Sequence, residues 1–114
     1  TKLPVWDMAK PRDQLAPFET QLARLQKERI DFYLLHALNK RNWKLALDSR
    51  CLEWLDEEKR RGRIRFAGFS FHDDFELFKE IVDAYDWDFC QIQYNYLDVH
   101  NQASTRPEKA WALR

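Results

Sequence analysis

His36 closes the run Arg29-Ile30-Asp31-Phe32-Tyr33-Leu34-Leu35-His36, an apolar stretch of strand length ending on a ring that gives or takes a proton near neutrality. A histidine at a strand's carboxyl end is placed for acid-base work or for orienting a carbonyl oxygen; a satisfied structural histidine is the evenly weighted alternative. Ser70 ends a second run after Gly68-Phe69. There a hydroxyl can bond a carbonyl or amide and a glycine lets a ligand approach the backbone, although a plain turn residue ahead of a helix looks the same. Gln91 and Gln93 alternate with Phe89 on one face of a third run. Two amides aimed into an apolar region cost roughly 1–3 kcal/mol each if unpaired, which favours a ligand or an internal polar network. Lys2 alone is one lysine among many. Three strands with polar residues near their ends point to one shared site.

Period-two alternation puts Phe32, Leu34 and His36 on one face, Asp31, Tyr33 and Leu35 on the other, and the His36 side is expected to lead into the strand's own core. Helices must hold these strands. Leu15, Phe18, Leu22 and Leu25 form a stripe at helical spacing, with Asp13 as cap and Pro17 in the first turn. Residues 37–42 read as a polar loop lining the site, followed by a short helix from Trp43 to Leu47. Asp48 or Ser49 is expected to cap a helix bearing Leu52, Trp54 and Leu55, which closes on Lys59-Arg60-Arg61-Gly62. A strand from Ile64 to Phe69 follows. Asp73 or Asp74 opens a helix with Phe75, Phe78, Ile81, Val82 and Tyr85 on one face, leading to the strand at Phe89. Alternating strands and helices imply right-handed crossovers and a parallel sheet, an α/β fold.

At 114 residues the chain is the size of one domain and well short of the ~250 residues of a closed eight-stranded α/β barrel. Nineteen basic residues balance nineteen acidic ones, which argues against nucleic acid and against an anionic membrane as partner. No apolar run approaches bilayer length and no signal-peptide core is present, so a cytoplasmic location is expected. Cys51 and Cys90 lack metal-site spacing and are expected to be two buried reduced thiols, with no metal site. The only glycines, Gly62 and Gly68, cannot build a glycine-rich phosphate loop. Asp56-Glu57-Glu58 and Asp73-Asp74 read as solvated carboxylates.

Thr1-Lys2-Leu3-Pro4, Asp31-Phe32-Tyr33-Leu34-Leu35-His36, Gly68-Phe69-Ser70 and Gln91-Ile92-Gln93-Tyr94-Asn95 together resemble the aldo-keto reductases in order and spacing. The resemblance runs to about Gln102. Gly68-Phe69-Ser70-Phe71-His72-Asp73 is most similar to the bacterial and archaeal branch whose longer members often carry an iron-sulfur tail, a cluster that belongs only to a longer parent. The resemblance implies a partial TIM (β/α)8 barrel of about four parallel strands, from the end of the third strand through the sixth, over residues 1–103, with an irregular tail at 104–114. It also implies NADPH-dependent reduction of an aldehyde or ketone, with NADH possible as cofactor. On this reading Lys2 matches the lysine that lowers a tyrosine's pKa, His36 the histidine that orients the carbonyl, and Ser70 and Gln91 the residues that bond the nicotinamide carboxamide. The family's catalytic Asp and Tyr have no counterpart here, since Tyr33, Tyr85, Tyr94 and Tyr96 fall at other positions, and Phe71 stands where many members carry Asn. The piece alone is therefore expected to be inactive. Two alternatives stay open: a non-catalytic half-barrel that dimerises through open sheet edges, and a small-molecule-binding α/β domain without redox chemistry.

Overall fold

The computed structural model describes residues 1–93. Four strands, β1 (Lys2–Pro4), β2 (Ile30–Leu38), β3 (Ile64–Phe71) and β4 (Phe89–Ile92), form one parallel sheet in the order β1-β2-β3-β4. Between them lie α1 (Leu15–Leu25), α2 (Lys40–Asp48), α3 (Cys51–Arg60) and α4 (Phe75–Ala84), with a 3-10 turn at Val5–Asp7. Each strand lies beside its successor. A doubly wound sheet reverses its strand order at a switch point, whereas a (β/α)8 barrel adds strands in sequence, so this arrangement is that of a partial barrel. The expected boundary at 103/104 and the tail at 104–114 lie outside the described residues.

The helices bury one face of the sheet. Leu3, Tyr33, Leu35, Ala67, Phe69 and Phe71, all 0% exposed, join Phe18 and Leu22 of α1, Trp54 and Leu55 of α3 and Phe78 and Ile81 of α4 in one core. Aromatic edges knit it: Phe18 meets Tyr33 at 5.1 Å and Trp54 at 5.2 Å between centroids, and Phe69 meets Trp87 at 4.9 Å. Such edge-to-face contacts add about 0.5–1.5 kcal/mol each beyond area burial.

Helix starts follow local hydrogen bonds, and several differ from expectation. Asp74 caps α4 as expected, its Oδ1 accepting from Leu77 N at 2.9 Å. Asn39 caps α2 by accepting from Asn42 N at 2.8 Å, so the helix starts at Lys40 and takes half of the expected loop, residues 37 and 38 belonging to β2. Neither Asp48 nor Ser49 caps α3. Helix α2 runs through Asp48, Ser49 Oγ donates back to Leu45 O, and Arg50, at φ 57°, makes the turn into α3. Asp13 does not cap α1; its carboxylate accepts from Ala9 N and Lys10 N, closing the preceding turn, and Leu25 is exposed. Gly62, at φ +72°, ends α3 in the left-handed conformation expected of it. Glu58 is not solvated: it is 0% exposed, and its Oε2 accepts from Arg63 Nε at 2.6 Å because α3 turns this position toward the strand entry. Of the two thiols, Cys51 is buried and Cys90 only half-buried.

Candidate active site

Tyr33 and Leu35 point to the helices, so the core lies on the side of β2 opposite to the one expected. Phe32, Leu34 and His36 face the other side, which no helix among the described residues covers, and Phe32 is 58% exposed there. Phe32, Phe66 and Phe89 meet ring to ring across this face, at 5.0 Å and 5.6 Å.

Register sets the site in layers, because paired residues of parallel neighbours share a face. One layer runs Lys2, Leu34, Gly68, Phe89 through the pairings Lys2 with Leu34, Leu34 with Gly68 and Gly68 with Phe89. One layer nearer the carboxyl ends, Pro4 pairs with His36 and Ser70 with Gln91. His36 and Ser70 are joined across the strands by a hydrogen bond from Ala37 N, the next peptide after His36, to Ser70 Oγ at 2.7 Å. The four residues singled out from the sequence thus share one face and one end of the sheet, with Lys2 a layer beneath the other three.

Gly68 does not serve ligand approach. A Cβ there would lie 2.6 Å from Phe89 O and 2.7 Å from the Phe89 ring, so the missing side chain is space for β4 and its phenylalanine. Gln91 and Gln93 are exposed, so the cost of burying unpaired amides does not arise; β4 is an edge strand among the described residues, and water reaches both. Their value to a site lies in being accessible.

Partial burial lowers the His36 pKa, and its electrostatic interactions with Lys2 and His72 lower it further. The imidazole is therefore neutral at neutral pH. It makes no hydrogen bond within the described residues, which leaves an N–H free to donate to an incoming oxygen. Trp6 leans on the ring, with centroids 5.1 Å apart at 54°. Neither Trp6 nor His72 was found from the sequence, because their nearness to His36 arises from chain turns after β1 and β3 that carry no periodicity.

Tyr33 and Tyr85, the two described tyrosines, are both turned away from this face. Tyr33 OH donates to Gln21 Oε1 at 2.8 Å inside the core, and Tyr85 OH donates to Asp56 at 2.6 Å beside α3. Burial raises the pKa of each, most strongly for Tyr33.

Ser70 and Gln91 together offer both donors and acceptors, the set that an amide group pairs with. Ser70 Oγ accepts from Ala37 N and retains its own proton to donate, and Gln91 beside it offers both an N–H and a carbonyl. Ser70 is 2% exposed, so Gln91 is the accessible member of the pair and the Ser70 hydroxyl is fixed on one side by the bond from Ala37 N.

The chain matches the model of the Aldo/keto reductase family over residues 1–108. No curated protein and no solved structure matches it. A sequential parallel sheet, a polar layer at its carboxyl ends and a family match over nearly the whole chain agree: this chain belongs to the aldo/keto reductase family of oxidoreductases.

Proposed function

We propose that this chain carries part of the site at which an aldehyde or ketone is reduced with NADPH, or alternatively NADH. The observation that supports this most is the register that gathers His36, Ser70 and Gln91 at one level with Lys2 below them. Neutral His36 donates a hydrogen bond to the substrate oxygen and fixes its direction, and Lys2 places positive charge beneath, where negative charge on oxygen is favoured. Ser70 and Gln91 hold the carboxamide and so choose the ring face presented to the substrate. The cofactor, when bound, supplies the hydride. Proton delivery to the oxygen needs a hydroxyl that Tyr33 and Tyr85 do not provide, and neither Tyr94 nor Tyr96 matches the family's tyrosine, so on this reading the chain alone binds cofactor without turnover.

A titration of the 114-residue chain with NADPH, read by nicotinamide fluorescence, tests this. Saturable binding is expected, weakened about tenfold by Gln91→Ala, the equivalent of one lost net hydrogen bond. A flat wild-type titration removes the cofactor assignment, and reduction of an aldehyde by the isolated chain removes the claim of inactivity.

A second reading is supported by the uncovered phenylalanine face. Phe32, Phe66 and Phe89 form an apolar patch between sheet edges that are open among the described residues, and self-association would shield it. Sedimentation velocity would then give a dimer that Phe32→Glu dissociates; a stable wild-type monomer counts against it.

A further inference from the structure

β2 and β3 run in register through Leu35 with Phe69 and meet again at Leu38 with Phe71. Three residue steps on β2 therefore match two on β3, so one extra residue is held at His36-Ala37. This is a β-bulge. Ala37 sits at φ +53°, the left-handed region that side chains other than those of Gly, Asn and Asp rarely adopt.

The bulge decides which way the end of β2 faces. Strict alternation from Leu35, which is in the core, would send His36 outward, Ala37 inward and Leu38 outward. With the extra residue, His36 keeps its outward place and Leu38 returns to the core, 0% exposed. A bulge leaves backbone groups outside the ladder, and here both groups of Ala37 are bonded by side chains. Ala37 N donates to Ser70 Oγ at 2.7 Å, and Asn42 Nδ2 donates to Ala37 O at 2.8 Å. Asn42 is itself fixed: it is 6% exposed, in the first turn of α2, with its backbone N bonded to the Asn39 cap at 2.8 Å. In a capping box the side chain at this third helical position returns to the N–H of the cap; here it reaches past the cap to the carbonyl of the strained residue.

We infer that Asn42 is a positioning residue for His36: with the Ser70 hydroxyl, its amide holds Ala37 left-handed and so locks the backbone directly after His36, fixing the angle at which the imidazole, outward by alternation, lies against Trp6. The inference rests on the reading of His36 as the carbonyl-orienting group. Ser70 then has a structural bond as well as a carboxamide to serve.

The test is NMR of the full 114-residue chain, following the His36 ring protons, which lie in the ring current of Trp6. Asn42→Asp keeps size and a good residue for a helix start but replaces the donor with an acceptor. It is expected to shift the His36 ring resonances, measured above their titration range, toward those of free histidine. Ala37→Gly in the same chain is expected to restore the wild-type ring shifts, because glycine takes positive φ without a side-chain clash. A chain whose melting temperature falls while the His36 signals stay put makes Asn42 merely structural and overturns the inference. So does a double variant that fails to recover. Should Asn42→Asp not fold, Ala37→Gly alone decides: an unchanged His36 spectrum with an equal or higher melting temperature supports the inference, and a lower melting temperature overturns it. NADPH titration of the wild-type sample keeps the two readings apart, since absent binding removes the cofactor role while leaving the His36 comparison intact.

Discussion

Substituting Gly68 with Ala should loosen β4, and its cost can be worked from the neighbours of the added methyl. The Cβ would stand 2.6 Å from Phe89 O, 2.7 Å from Phe89 Cζ and 2.8 Å from Cε1, all inside van der Waals contact. The ring can swing toward the open face, where Phe89 is only half-buried. The carbonyl cannot, because it belongs to the backbone of β4, whose four pairings with β3 begin at Gly68 with Phe89. Overpacking of this kind costs about 1–3 kcal/mol, and a fixed backbone atom as the obstacle puts Gly68→Ala in the upper half of that range. Urea unfolding followed by tryptophan fluorescence suits the measurement, because Trp87 stands at the entry to β4 and its ring lies 4.9 Å from that of Phe69. Hydrogen exchange should show protection lost first at 89–92. The control is the pair with Phe89→Leu. If the carbonyl is the obstacle, the Gly68→Ala cost survives in the Phe89→Leu background. Full recovery there would show that the ring alone was in the way, and an unchanged urea midpoint for Gly68→Ala would refute the packing argument outright.

His36 has a native pKa below its unfolded value, so the unfolded chain binds the proton more readily and acid favours unfolding. Stability should be at its fullest above ~6.5 and fall as pH drops from there through the lower native value; His36→Gln should flatten that part of a melting-temperature profile. Glu58→Ala should destabilise by ~3 kcal/mol, near the low end for breaking a buried ion pair, because Arg63 keeps some solvent contact and its second partner Glu19; thermal unfolding would read it. Tyr33→Phe removes the hydroxyl bonded to Gln21, whose Nε2 holds Lys2 O at 2.8 Å. A loss of about 1 kcal/mol with increased exchange in β1 is expected, and unchanged stability would separate Lys2 from this support. Cys51, buried and pushed up to about 11, should react with a thiol reagent only on unfolding, with Cys90 modified first.

The sequence by itself determined the alternation of strands and helices, the apolar stripes, the Gly62 stop, a cap at Asp73 or Asp74 and the polar residues near the ends of three strands. These are local properties. Hydrophobic periodicity and capping chemistry act over a few residues and are legible without a partner. Tertiary structure decided the rest. Which face of β2 is core depends on where the helices lie, and a strand with apolar residues on both faces does not encode that. Glu58 reads as solvated until Arg63 is seen beside it, and Gly68 reads as a ligand approach until Phe89 fills its space. The bulge at Ala37 was invisible for the same reason: alanine has no local preference for positive φ, and it is held there by Ser70, 33 residues away, and by Asn42 of the next helix. Register, and with it the gathering of Lys2, His36, Ser70 and Gln91, exists only between strands.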